Sequence, residues 1–154
     1  MNTPIVTPTV SDQIIAFADL HGFHRCICAQ LNPEETFSFL SEYYAAVQAV
    51  MEGSEGKIIK WMGDAALLSF PASSPDGAIH ILRTIKSETD LFLARKGHKA
   101  YMCIKAHVGL VAMGSLGNGE WARLDICGLA VNQTALLPHE EWVLSDELKK
   151  KMGS

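Results

Sequence analysis

Basic residues are few and scattered, no cysteine sits in a CxxC pair, and no apolar run is as long as a membrane span. Each shortage narrows the reading. With 13 Lys and Arg against 17 Asp and Glu, the net charge is −4, and no basic stripe exists to follow a phosphate backbone, so nucleic acid is not an expected partner. The one dense basic run, Lys149-Lys150-Lys151, reads as the solvated end of a helix. Cys26, Cys28, Cys103 and Cys127 match neither a zinc knuckle nor a redox motif. They are expected to be reduced thiols of a cytoplasmic protein, with buried packing roles. Without about 18 consecutive apolar residues there is no membrane segment, and without a basic start followed by an apolar stretch no signal peptide is expected. The six histidines are dispersed, with no HExxH-like ligand pair. No Ser-His-Asp or Cys-His arrangement suggests a protein nucleophile, and no internal repeat or low-complexity tract appears.

What is present is the material of one globular domain. The chain has 154 residues, 48% of them hydrophobic and 19% charged, enough to bury roughly 70% of the unfolded surface without staples. Residues 1–12 read as a flexible leader and residues 13–154 as the domain. Ile14 to Leu20 reads as a buried strand ended by a turn at Gly22. Asn32, Pro33, Glu34 and Glu35 form a helix start. Phe37, Leu40, Tyr44, Val47 and Met51 follow at helical spacing as its expected apolar face, and Gly53 is its stop. Lys57 to Phe70 reads as a β-hairpin with Gly63 and Asp64 at its tip. Ser74-Pro75-Asp76 opens a second helix with Ile79, Leu82, Ile85 and Leu93 inward, ended by Gly97. Tyr101 to Met113 reads as a strand region whose Gly109 and Gly114 suggest close backbone approach. Trp121 to Cys127 reads as another strand, and Leu129 to Leu137 as a helix closed by Pro138. Trp142 to Leu144 is a last short strand before a helix capped at Ser145. The order predicts an α+β, ferredoxin-like sandwich: a mostly antiparallel sheet with helices packed on it.

Two carboxylates stand where chemistry is possible. Asp19 ends the first strand three residues before Gly22, and a strand running through a glycine turn into a helix leaves N–H groups free to bind phosphate oxygens. An acid beside such a nest can hold the Mg²⁺ that travels with a triphosphate. Asp64 sits on a hairpin tip that a sandwich can bring next to the end of the first strand. Taken alone, an Asp after a strand is ordinarily a cap or turn former, and an Asp after a tip glycine is ordinarily turn chemistry.

Four segments in order carry a resemblance. Phe17-Ala18-Asp19-Leu20-His21-Gly22-Phe23 resembles the opening motif of class III adenylyl and guanylyl cyclases, and Lys60-Trp61-Met62-Gly63-Asp64-Ala65 resembles their second. Val108 to Val111 with Met113-Gly114 resembles their glycine-bearing strand. Asp125-Ile126-Cys127-Gly128-Leu129-Ala130-Val131-Asn132 resembles the motif after it. The resemblance implies a two-metal site for Mg²⁺ or Mn²⁺, with Asp19, Asp64 and the Leu20 carbonyl as ligands and the amides of Gly22 and Phe23 cradling phosphate. It implies that Lys60 and Asp125 choose the purine. A lysine donates to adenine N1 and an aspartate accepts from its amine, whereas guanine presents the opposite pattern, so ATP is favoured over GTP. Asn132 would orient the ribose. The alternative for Lys60 is a solvent-facing strand lysine, and for Asp125 a pairing with Arg123. The implied reaction is ATP to 3′,5′-cyclic AMP and pyrophosphate at an interface between protomers, in a homodimer or with another cyclase domain. Leu129 to Val131, Trp61 and Trp121 are interface candidates, with the buried core an equal home for the tryptophans.

The resemblance breaks in three places. The family's arginine, four residues after the asparagine, is Leu136 here, and an aliphatic side chain cannot stabilise charge on the phosphorus; loss of one such contact costs about 10²–10³ in rate. No match for the family's late phosphate-binding lysine precedes Ser154. The residue after the opening Gly-Phe is His24 in place of threonine. These departures leave a slow adenylate cyclase as the first expectation and a nucleotide-binding pseudo-cyclase, acting as a regulatory or partner subunit, as the second. A plain interaction module without a ligand is the third.

Overall fold

The computed structural model describes residues 7–153. Its elements follow the chain as β1 (Thr9–His21), a π-type helical turn (Phe23–Cys28), α1 (Pro33–Met51), β2 (Lys57–Met62), β3 (Ala65–Pro71), α2 (Pro75–Arg95) and β4 (Tyr101–Leu116). A 3₁₀ turn (Gly119–Trp121) leads to β5 (Arg123–Cys127), α3 (Leu129–Ala135), β6 (Trp142–Leu144) and α4 (Asp146–Lys151). The sheet order is β2-β3-β1-β4-β5, antiparallel throughout, with β6 joining β4 in parallel. This is the expected α+β sandwich, with β1-α1-β2-β3-α2-β4 as its ferredoxin-like part. Strand β1 reaches back to Thr9, inside the segment read as a leader; residues 1–6 of that leader lie outside the described residues. Among the described residues, no helix is long and apolar enough to cross a membrane.

The alternation of β1 divides the molecule into two faces. Ile14, Ala16, Ala18 and Leu20 enter the main core, which α1 and α2 cover. Ile15 and Phe17 point the other way, into a smaller core with Ile59, Leu67, Val111, Ile126 and Ala130. Every strand of the main path contributes to that second core, and β2 touches β5 although they lie at opposite ends of the strand order. The sheet is therefore curled, concave toward α3. Gly109 permits α3 to lie this close: a Cβ there would stand 2.6 Å from the Ala130 Cβ.

Local chemistry explains the helix starts. The Asn32 side chain accepts from the Glu35 amide at 2.8 Å while the Glu35 carboxylate accepts from the Asn32 amide at 3.1 Å, a complete capping box. Ser145 caps α4 by accepting from the Leu148 amide at 3.1 Å. The buried face of α1 differs from the expected one. It is Phe39, Tyr43, Val47 and Met51, whereas Phe37 is 76% exposed and Leu40 and Tyr44 lie at its margin. The aromatic contacts of Phe39 with Phe23, Phe92 and His98 outweigh what Phe37 offers on the neighbouring stripe. Trp121, expected in a strand, sits in the 3₁₀ turn and is 77% exposed. All four cysteines are free, but only Cys103 is buried and Cys127 is exposed, so the expected packing role does not hold for all.

The close approach at Gly109 makes a prediction. Its backbone is not in the left-handed region, so Gly109→Ala costs only through the clash with Ala130, about 1–3 kcal/mol of overpacking. Urea denaturation should show a lower midpoint; an unchanged midpoint would mean that α3 is not held against β4 as described.

Candidate active site

The site is built around the tip of the β2–β3 hairpin. Met62 pairs with Ala65, leaving Gly63 and Asp64 as a two-residue loop, and Gly63 has φ +64°. Glycine at the first central position is what a tight type II′ hairpin requires. The tip is held from two sides. The Tyr43 hydroxyl donates to the Asp64 carbonyl at 2.8 Å, and the Tyr44 hydroxyl donates to the Gly63 carbonyl. Trp61 supports both phenols, stacked on Tyr44 with ring centroids 3.7 Å apart and edge-on to Tyr43. On the other side, the Asp64 carboxylate accepts from the Leu20 amide at 2.9 Å.

That bond brings the Asp64 carboxylate to the strand end that carries Asp19. The β1–β3 register ends at Ala18 opposite Ala66, so the Leu20 amide lies beyond the reach of the ladder and Asp64 takes the place of a strand partner. In an extended strand the N–H and C=O of one residue face the same side, so the Leu20 carbonyl also faces the hairpin tip. Asp19 is one residue away, on the concave face. Burial pushes its carboxyl above the usual carboxylate range; His139 opposes the rise, Asp64 adds to it, and Lys105 and His21 oppose it more weakly. Burial, and after it the charges of Asp64 and Asp19, raise the Tyr43 phenol well above its ordinary range, so Tyr43 is a fixed donor. Two carboxylates and a carbonyl are hard oxygen donors of the kind that suit Mg²⁺ or Mn²⁺.

Gly22, with φ +86°, turns the chain from β1 into the π-type turn begun by Phe23, and the Cys26 amide closes back on the Gly22 carbonyl at 2.7 Å. The amides at the start of such a turn have no partner within it. Lys60 and Asp125 meet directly, Nζ to carboxylate at 3.0 Å, and the second Asp125 oxygen accepts from the Ile126 amide at 2.8 Å. Arg123 instead donates to the carbonyls of Glu120 and Ala122, so the alternative pairing of Asp125 is not formed. A register shift between Ile58 and Lys60 explains how Lys60 gets there. Without the bulge Lys60 would pair with Ala66 and face the main core; with it, Lys60 pairs with Leu67 and joins the concave side. Asn132 is exposed on α3, and Leu136 follows one turn later, 84% exposed. The cavity at Asp19 measures about 10 Å³ and a groove beside Asp125 about 120 Å³. Larger hollows lie on the helical face, away from the carboxylates.

No protein-family model matches the chain. An adenylate cyclase from Anabaena cylindrica is 27% identical over 126 residues, which are 77% of this chain and 25% of that protein. A bacterial light-regulated adenylyl cyclase superposes with a TM-score of 0.82 at 23% identity, over 97% of this chain and 48% of that one. The guanylate cyclase domain of RhGC from Catenaria anguillulae, in complex with GTP, superposes with a TM-score of 0.83 at 17% identity, over 95% of this chain and 85% of that one. This chain has the class III nucleotidyl cyclase fold. It spans about a quarter of the curated relative and about half of the light-regulated cyclase.

Within the cyclase fold, one group near Asp19 had no signal in the sequence. His21, Cys103 and His139 present ligand atoms within 4.8 Å of one another. The strand register sets Asp19 opposite Cys103 and His21 opposite Tyr101, while His139 arrives from the segment after Pro138. The period-2 pattern alone places His21 on the Asp19 side; the pairing with Cys103 and the path of the 138–141 segment are long-range facts. His21 and His139, far apart in the sequence, are brought together only by the fold. Lys105 fixes that segment, its Nζ donating to the carbonyls of Ala135 at 2.6 Å and Leu137 at 3.3 Å at the end of α3.

The raised Asp19 carries a stability prediction. The folded chain holds this proton more tightly than the unfolded chain, so stability falls as pH rises from the ordinary value of 3.8 through the raised one. In metal-free buffer at pH 7, Asp19→Asn should melt above the wild type, with the gap closing below the ordinary carboxylate range. Equal melting temperatures at pH 7 would show that Asp19 carries no uncompensated charge.

Proposed function

We propose that this domain binds a purine nucleoside triphosphate with divalent metal, ATP in preference to GTP, and converts ATP slowly to 3′,5′-cyclic AMP and pyrophosphate. The observation that supports the reading most is the Asp64–Leu20 bond, because it holds the Asp64 carboxylate against the strand end that carries Asp19. Asp19, Asp64 and the Leu20 carbonyl would hold two Mg²⁺ or Mn²⁺ ions, which supply Lewis-acid activation of the ribose 3′-hydroxyl and charge neutralisation on the triphosphate. The amides of Gly22 and Phe23 would hold phosphate oxygens. Lys60 would release its ion pair with Asp125 to donate to adenine N1, and Asp125 would accept from the exocyclic amine. Asn132 would orient the ribose.

The site is best completed by a second protomer. One chain offers little enclosure around Asp19 or Asp125, while Leu116, Trp121, Leu124, Leu129 and Leu136 are exposed along the β4–β5 arm and α3, the kind of apolar surface that marks an interface. In a homodimer, or with another cyclase domain, the carboxylates of one protomer would face Lys60, Asp125 and Asn132 of the other. We place this domain, residues 13–154 of the sequence, in the cytoplasm, where ATP and free thiols coexist. A second reading is favoured by one observation: Leu136, at the family's charge-stabilising arginine position, is open to solvent and has no charge to offer. On that reading the domain binds nucleotide without turnover and serves a partner subunit.

Cyclic nucleotide formation from ATP and GTP, with Mn²⁺ and with Mg²⁺, tests both readings. The wild type should yield cyclic AMP and Asp64→Ala should lose it. Leu136→Arg should raise the rate by about tenfold or more, part of the 10²–10³ such a contact is worth. No product but a nucleotide-dependent rise in melting temperature would select the second reading. Neither product nor thermal shift would leave only an interaction module.

A further inference from the structure

We propose that His21, Cys103 and His139 form a binding site for a thiophilic transition metal of the Zn²⁺ class, beside the paired carboxylates. Strand register brings the first two ligands together. Asp19 lies opposite Cys103 and His21 opposite Tyr101, so His21 and Cys103 are diagonal neighbours on the concave face. His139 joins them from the segment that Lys105 anchors. Cys103 is buried while both histidines are exposed, so a fixed thiol forms the floor and two imidazoles the movable walls. Tyr101 stacks on His21 with centroids 4.7 Å apart, and the His21 and His139 rings lie 5.9 Å apart.

The spacing suits a metal with small adjustment. All three ligand atoms lie within 4.8 Å of one another. Four-coordinate zinc, with bonds of about 2.0–2.1 Å to nitrogen and 2.3 Å to sulfur, sets ligand atoms roughly 3.3–3.6 Å apart. Rotation of two exposed imidazoles closes that difference without moving the sheet. Two imidazoles and a thiolate select Zn²⁺, Co²⁺ or copper over Mg²⁺, which prefers the oxygen donors beside them. Asp19 lines the same small cavity as Cys103 and His139 and is the nearest candidate for a fourth ligand. It follows, resting on the nucleotide reading above, that a metal bound here withdraws Asp19 from the carboxylate pair and inhibits turnover.

Cobalt tests the site without any assay of activity. The reduced, metal-stripped protein is titrated with Co²⁺ and followed by absorption. One Co²⁺ per chain is expected, with a thiolate charge-transfer band and the intense visible bands of four-coordinate cobalt, displaced by Zn²⁺. Cys103→Ser should abolish the charge-transfer band, and His139→Ala should weaken binding at least about tenfold, since even outer partners of metal ligands are worth that much. Asp64→Ala should keep the band, because Asp64 is not among the ligands of this site. If Cys103→Ser does not fold, His139→Ala decides, its position being exposed. Absence of the band in the wild type, its survival in Cys103→Ser, or unchanged affinity in His139→Ala overturns the proposal. Cobalt binding in a chain that takes up no nucleotide upholds this site and counts against the nucleotide reading alone.

Discussion

The hydrogen bond from the Leu20 amide to the Asp64 carboxylate is the contact on which the rest of the site depends. Beyond Ala18 the strand β1 has no ladder partner on its β3 side, and its amide must be satisfied by something else. A hairpin tip carrying an acceptor satisfies it. The consequence is that a second carboxylate comes to rest beside Asp19. Tyr43 and Tyr44 hold the tip by its carbonyls and leave the Asp64 carboxylate free to face β1. Burial raises the Asp19 carboxyl, and the neighbouring Asp64 charge adds to the rise.

Curling of the sheet does the second part of the work. The bulge in β2 turns Lys60 away from the helical core, and the approach of β2 to β5 brings it to Asp125 at 3.0 Å. An exposed ion pair of this kind contributes little to stability, which makes it easy to open for a ligand offering the complementary pattern. The close seat of α3 on Gly109 then sets Asn132 and Leu136 on the surface over the same face.

Much of this was legible in the sequence because the signals were local. Asn32 to Glu35 encode a capping box, Gly63-Asp64 encode a hairpin tip, and the spacing of Ile79, Leu82, Ile85 and Leu93 encodes the inner face of α2. The candidate carboxylates stood at a strand end and a loop, where cap and turn chemistry is the ordinary role, and the resemblance to class III cyclases singled them out. The buried stripe of α1 was read rightly at Val47 and Met51 but not in its first turns, since Phe37 and Phe39 are equally apolar and only the partners of Phe39 decide between them. The Lys60–Asp125 contact depends on a bulge and on sheet curvature, which no short window contains. The His21, Cys103 and His139 cluster depends on a β1–β4 register and on a segment more than a hundred residues from His21.

The account holds that the paired carboxylates are a divalent-cation site for a nucleotide whose base is read by Lys60 and Asp125. A crystal structure grown with Mn²⁺ and a non-hydrolysable ATP analogue, with anomalous scattering used to locate the metal, tests this most directly. The account predicts manganese between Asp19 and Asp64, with the adenine against a Lys60–Asp125 pair. Manganese or nucleotide bound elsewhere, with the ion pair closed and the carboxylates unliganded, would contradict it.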